Sequence, residues 1–134
     1  MPKIINEKEF TINVNGTKTG ENYAGKFKAK KFLSHLDELT MDNLRRQFLG
    51  PAAGTPYPRI ESQAEALAET AVCLIEAPNW WKEADNGASL LDDEPLMEVV
   101  NECRRIREEA LKAVKDAAKP AKEELAKQDF DAAV

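Results

Sequence analysis

The residues that could perform acid–base, nucleophilic or metal chemistry are few and scattered. The single histidine, His35, has no cysteine nearby in sequence, so no spacing typical of a metal site is present. Carboxylates cluster near one turn, at Asp85 and the run Asp92-Asp93-Glu94, without the alternating oxygen ligands of a calcium loop. Two of them could act as acid and base, but their place before Pro95 also fits a helix cap. We expect no enzyme activity, no metal and no cofactor.

The two cysteines, Cys73 and Cys103, both fall within apolar patterns of helical period. Free cysteine is among the most often buried residue types, so buried free thiols are expected. A disulfide between facing helices is the alternative. Two cysteines do not make a disulfide framework, and the start MPKIINEKEF lacks the apolar segment of a signal peptide. A reducing cytoplasm is the expected compartment.

Composition favours one soluble, largely helical domain. The chain has 134 residues, of which 43% are hydrophobic and 32% charged. We predict a single domain over 1–128 and a flexible tail over 129–134. The net charge of −5 argues against nucleic-acid binding, which needs clustered cations. No run of about 18 apolar residues is present, so no membrane span is expected.

Alternating apolar residues predict an N-terminal β-hairpin over 9–30. The first run, 10–14, alternates apolar and polar residues, and Asn15-Gly16 begins the turn. In the second run, Lys26, Lys28 and Lys30 share one face. They could bind an anion or an acidic partner, or they could form a solvated face that discourages edge pairing. Because an isolated hairpin is marginal, it must cover helices or gain a strand from another chain.

Three helices are predicted, over 34–49, 60–77 and 93–119. The first begins at the capping box SHLD and places Leu36, Leu39, Leu44 and Phe48 on one broad face. The second ends before Pro78 and has Glu65 and Glu69 facing outward. The third carries an apolar stripe from Leu96 to Val114, and Pro120 interrupts it. Asp92 or Asp93 is expected to cap it.

Both tryptophans, Trp80 and Trp81, lie in the connection between the second and third helices. One should pack beneath the helices and the other could be exposed as an interface anchor; alternatively, both enter the core. Phe130 is the single aromatic residue of the C-terminal segment and is a candidate partner contact, although fraying is common at a terminus. The predicted architecture is α+β: the hairpin packs on a mostly α-helical domain of three main helices with a C-terminal helical tail.

Two stretches carry a resemblance to a known class of protein. They are FTINVNGTKTGENYAGKFKAKKFLSHLDELTMDNLRRQFLG and EAPNWWKEADNGASLLDDEPLMEVVNECRRIREE, within residues 9–110. The order of a short hairpin, LSHxDxL, an RR…LG helix end, APxWW and LxDDE resembles small morphogenesis and accessory proteins of tailed bacteriophages, including tail assembly chaperones and minor virion components.

The resemblance implies a non-enzymatic structural or assembly protein that contacts capsid or tail proteins. The location it implies is the virion or the host cytoplasm. The hairpin's need for cover suggests a symmetric assembly or oligomer, and neither a nucleic-acid nor a membrane partner is expected from the charge and the hydropathy. A regulatory module that binds a host protein is the alternative. The partner-contact candidates are Trp80, Trp81, Lys26, Lys28, Lys30 and Phe130.

Overall fold

A computed structural model describes the backbone of residues 5–50 and 57–133, with side chains up to residue 118. It confirms the predicted α+β class: a small antiparallel sheet packs on a mainly helical body that ends in one long helix. The elements in chain order are β1 (Lys8–Asn15), β2 (Asn22–Ala29), α1 (His35–Leu49), α2 (Pro58–Cys73), β3 (Leu74–Glu76), α3 (Asn79–Glu83) and α4 (Glu94–Ala133).

The hairpin forms as the alternating pattern predicts. β1 and β2 pair antiparallel from Lys8↔Ala29 to Asn15↔Asn22, and the Gly16 N–H donates to the Glu21 carbonyl at 2.8 Å to close the loop. One face is apolar and buried, because alternate side chains of a strand point the same way. Phe10 and Phe27 stack on this face with ring centroids 5.2 Å apart.

A third strand replaces the end of the second predicted helix. α2 stops at Cys73, and Leu74–Glu76 pairs with β2, so the prediction of a helix over 60–77 is wrong at its last turn. Residues before Pro78 are disfavoured in a helix, and the free edge of β2 offers backbone partners instead. The hairpin therefore gains its extra strand from its own chain.

α1 begins and ends where its sequence signals stand. Ser34 and Asp37 form the reciprocal capping box, and Gly50 follows the last residue with φ +54°. The face predicted to carry Leu36, Leu39, Leu44 and Phe48 is largely exposed to solvent, however. Leu36 and Leu39 are 71% and 65% exposed, and α1 instead buries Leu49. Among the described residues, the main packing partner of α1 is α2, and α1 therefore buries only a narrow face.

The outward orientation predicted for Glu69 is also wrong. This side chain is only 5% exposed and lies between α2 and α4. Arg104 Nε donates to its carboxylate at 3.0 Å, and Arg107 Nη2 donates at 2.8 Å. Two guanidinium groups thus compensate the buried charge and join the two helices, which a helical wheel for α2 alone cannot reveal.

α4 is longer than predicted. Its backbone stays helical to Ala133, through Pro120 and the segment expected to be a flexible tail. A proline removes one backbone hydrogen bond and can bend a helix without ending it. The helix of 40 residues is therefore about 60 Å long.

The core lies between the apolar face of the sheet, the inner stripe of α4 and the α3 region. Phe27 and Trp81 meet edge to face with centroids 5.5 Å apart, and both are about 1% exposed. α4 contributes a stripe of helical spacing that is buried throughout: Leu96, Val99, Val100, Cys103 and Ile106.

Replacing Glu69 with alanine should destabilise the fold by about 3 kcal/mol, because Arg104 and Arg107 would lose their partner at a partly buried site. Glu65→Ala on the exposed side of α2 is the control and should change stability by less than about 0.5 kcal/mol. Urea unfolding followed by circular dichroism measures both. Equal midpoints for the two variants would contradict this account of Glu69.

Candidate functional site

Asp92, one of the two candidate caps of α4, instead fastens the hairpin loop to the start of that helix. Its carboxylate accepts hydrogen bonds from the Lys18 N–H at 2.8 Å, from the Thr19 N–H at 3.1 Å and from the Tyr23 hydroxyl at 2.8 Å. The Thr19 hydroxyl donates at 2.5 Å. Glu94 accepts from the Thr17 N–H nearby at 3.1 Å. We call Asp92 and its donors the loop clasp.

The loop clasp explains why Asp92 is poorly suited to acid–base chemistry. The Thr19 hydroxyl, the Tyr23 hydroxyl and the two backbone N–H groups favour the carboxylate form and outweigh desolvation. They lower the pKa of Asp92 from 3.8 to about 2. Both oxygens are already engaged by the protein's own donors. The carboxylate is therefore a structural anchor.

The other candidate chemical groups are dispersed. His35 is exposed in the first turn of α1, and Asp93 pairs with Arg59 at 3.1 Å on the surface. The backbone carbonyl of Asp93 accepts from the Met97 N–H at the start of α4. Asp85 lies in the turn with Asn86, and both have positive φ. In the portion of the chain that the structure covers, no group of three potential metal ligands comes together.

The two tryptophans both contact the aromatic core, but only one retains surface. Trp81 packs against Phe27 and over Gly87, so a partner cannot touch it without displacing the core. Trp80 is half-buried, and its Nε1 donates to the Ala24 carbonyl at 3.0 Å on the open side of β2. Of the pair, Trp80 alone remains available as a contact residue.

Each lysine of the predicted stripe has an acidic neighbour. Lys26 lies 3.5 Å from Glu9, Lys28 lies 3.7 Å from both Glu7 and Glu76, and Lys30 lies 2.9 Å from Asp37. These pairs reduce the positive potential available to an anionic partner. β3 pairs with β2 at Lys28 and Ala29, so this end of β2 is not a free edge, whereas the pairing with β3 does not extend to Lys26. Phe130 lies outside the residues whose side chains are described.

A groove of about 500 Å³ lies beside α4. Its apolar wall consists of Ile5, Phe32, Ile106, Ala110, Ala113 and Val114. Lys8, Lys31 and Glu109 are its charged lining residues. We call this surface the α4 groove.

A second hollow of about 210 Å³ shares Lys31 and Phe32 with the α4 groove and extends the apolar surface to Leu33 and Leu111. Leu111 and Val114 are 51% and 53% exposed, although they continue the stripe that is buried up to Ile106. The apolar stripe of α4 is therefore longer than the sheet that covers it.

Sequence reasoning identified the stripe through Val114 but not its exposed half. Periodicity shows which residues share a face, whereas coverage depends on where β1 and the chain after β2 end against the helix. No sequence pattern indicated that Ile5 and Phe32 would line the α4 groove, since both residues lie outside the helices and strands. None of the helices that the structure describes is both long and apolar enough to cross a membrane.

Comparisons with known protein families, with curated proteins and with solved structures found no match for this chain.

Asp92→Asn should lower the melting temperature at neutral pH. The melting temperature of this variant should then fall less steeply than that of the parent protein as the pH is lowered. The pKa of Asp92 is lowered in the folded state, so its contribution is present above about pH 4 and is lost as pH falls towards 2. Melting curves between pH 2 and 7 measure this. Asp93→Asn, at the neighbouring exposed position, is the control and should follow the parent protein. An identical acid decline in the parent and Asp92→Asn would refute the loop clasp.

Gly16→Ala should destabilise the protein by about 1–3 kcal/mol through overpacking. A Cβ at Gly16 would lie 2.2 Å from Asp92 Cγ, although φ at Gly16 is outside the left-handed region. In an Asp92→Ala background the same substitution should cost much less, because the clash is removed. A double-mutant cycle by urea unfolding tests this, and additive effects would contradict it.

Proposed function

We propose that this protein is a non-enzymatic structural or assembly protein of a tailed bacteriophage, and that it binds virion proteins of the capsid or tail through the α4 groove and the exposed stripe of α4. The observation that carries the proposal is the mismatch in length between α4 and the sheet. Five apolar residues of the stripe are buried, and the next ones, Leu111 and Val114, are solvated.

The chemistry of this surface favours a protein partner. A helical stripe with small residues at Ala110 and Ala113 allows another helix to approach closely, and Leu111 and Val114 supply apolar contacts. The walls of the α4 groove are apolar side chains together with two lysines, Lys8 and Lys31, and one acidic residue, Glu109. A partner helix with an apolar face and an acidic flank would complement both features.

The assignment to phage morphogenesis is supported by the resemblance of the stretches 10–50 and 76–109 to phage accessory proteins. The structure adds that the tryptophan-containing connection and the hairpin within these stretches are internal parts of the fold. They hold α4 in position. Contact with partners is therefore assigned to α4 and its groove in preference to the lysine stripe.

Leu111→Asp and Val114→Asp should each weaken capture of virion proteins at least about ten-fold, because a carboxylate would enter an apolar contact. The measurement is a pull-down with the tagged protein from phage-producing cells, together with mass spectrometry of purified particles and assembly intermediates. Asn101→Asp is the matched control: it adds the same charge at an exposed site on the covered half of α4 and should bind normally.

The proposal fails if the protein is absent from both particles and intermediates and co-purifies with a host factor instead, which would favour the regulatory alternative. It also fails if virion proteins are captured equally by all three variants, because the contact would then lie elsewhere. Each variant should retain the parent melting temperature within a few degrees, since all three sites are exposed.

A further inference from the structure

The two cysteines of the chain come together between α2 and α4. Cys73 is the last residue of α2, Cys103 lies in the middle of the covered part of α4, and both are completely buried free thiols. Both side chains belong to the same core cluster, and Cys103 lies one helical turn before Arg107, whose guanidinium contacts Cys73 Sγ. The pair therefore connects the two helices at the point where β3 begins.

The guanidinium group of Arg107 contacts the sulfur of Cys73. Arg107 Nη1 donates to Cys73 Sγ at 2.7 Å, while Nη2 of the same guanidinium donates to Glu69 at 2.8 Å. Glu69 opposes a thiolate, but Arg104 and Arg107 together compensate its charge. The guanidinium is thus held by the carboxylate at hydrogen-bonding distance from sulfur.

This environment distinguishes the two thiols. The hydrogen bond from Cys103, with the charge of Arg107, lowers the pKa of Cys73. The same hydrogen bond and burial raise the pKa of Cys103. Thiolates are the reactive form of cysteine, and a neighbouring arginine is a typical activating group. The contact between Arg107 and Cys73 Sγ therefore favours Cys73 as the nucleophile of the pair.

A route from solvent reaches the arginine. Arg107 lines the hollow of about 210 Å³ together with Phe32, Leu33 and Leu111. Cys73 Sγ contacts this guanidinium at 2.7 Å but does not itself line the hollow. A small oxidant therefore reaches the fully buried sulfur only when the half-buried Arg107 side chain moves aside.

We propose that Cys73 and Cys103 form a reversible redox site that takes a hydroperoxide as oxidant. The Cys73 thiolate attacks the terminal oxygen of hydrogen peroxide, the O–O bond breaks, and the departing hydroxide gains a proton as water. The Cys103 sulfur then attacks the Cys73 sulfenic acid, forming the S–S bond. The S–O bond breaks, and hydroxide leaves with the Cys103 proton as a second water. A dithiol reductant cleaves the disulfide and restores both thiols.

The first experiment treats the folded protein with hydrogen peroxide, then unfolds it, alkylates free thiols and measures the intact mass. The proposal expects a monomer that is about 2 Da lighter, takes up no alkylating reagent, and recovers both thiols after reduction. Cys103→Ser should instead stop at a Cys73 sulfenic acid that a dimedone probe captures. The proposal would be overturned if both thiols were still alkylated after peroxide treatment. It would also be overturned if each cysteine were over-oxidised without forming a disulfide, or if disulfides formed between chains.

The second experiment assigns the role of Arg107 as a positioning residue. Arg107→Gln should slow disulfide formation about ten-fold at neutral pH and shift the pH profile of the rate upward, because the thiolate loses its cation. Arg104→Gln is the matched control: it also loses a Glu69 contact but does not touch sulfur, so its profile should stay in place. The rate of disulfide formation in the parent protein unfolded in urea is the reference, because the folded site is then absent. Coincident profiles for both variants, or an equal rate in urea, would overturn the assignment.

Discussion

The fold depends on covering the one apolar face of a very small sheet. Two strands cannot bury Phe10, Ile12 and Phe27 by themselves, and a hairpin of this size is marginal in water. α4 and Trp81 supply the cover, and β3 supplies a partner for the free edge of β2. The loop clasp at one end and the Glu69 ion pairs between α2 and α4 keep these elements in place.

The same constraint leads to the proposed function. The sheet covers α4 from Leu96 to Ile106, whereas the apolar stripe continues to Val114 and the helix to Ala133. Apolar residues on the uncovered part contribute little to the stability of the isolated fold. Their persistence at helical spacing is explained if another protein covers them. The α4 groove, with Ile5 and Phe32 beside the helix, offers a partner a second wall.

The sequence was sufficient for the faces of the strands and for several local signals, although it missed the end of α2 and the continuation of α4 through Pro120. The alternation around Phe27 and the SHLD capping box both predicted the structure that forms, because each depends on neighbouring residues. Interactions across long separations were missed. Asp92 has the local sequence of a helix cap, yet it binds the loop at Thr19, and Glu69 has the position of a solvated residue, yet it binds two arginines. A local sequence pattern does not indicate interaction partners that are distant along the chain.

Amide hydrogen exchange along α4 tests most directly the view that this helix has a covered half and a free half. In the protein alone, amides of residues 97–106 should exchange slowly and those of 108–118 rapidly, because only the first set lies on the part of the helix that is packed against the sheet. With a purified virion partner bound, the second set should become slow while the first set stays unchanged. Slow exchange of residues 108–118 in the isolated protein, or no change in them upon binding, would contradict the account.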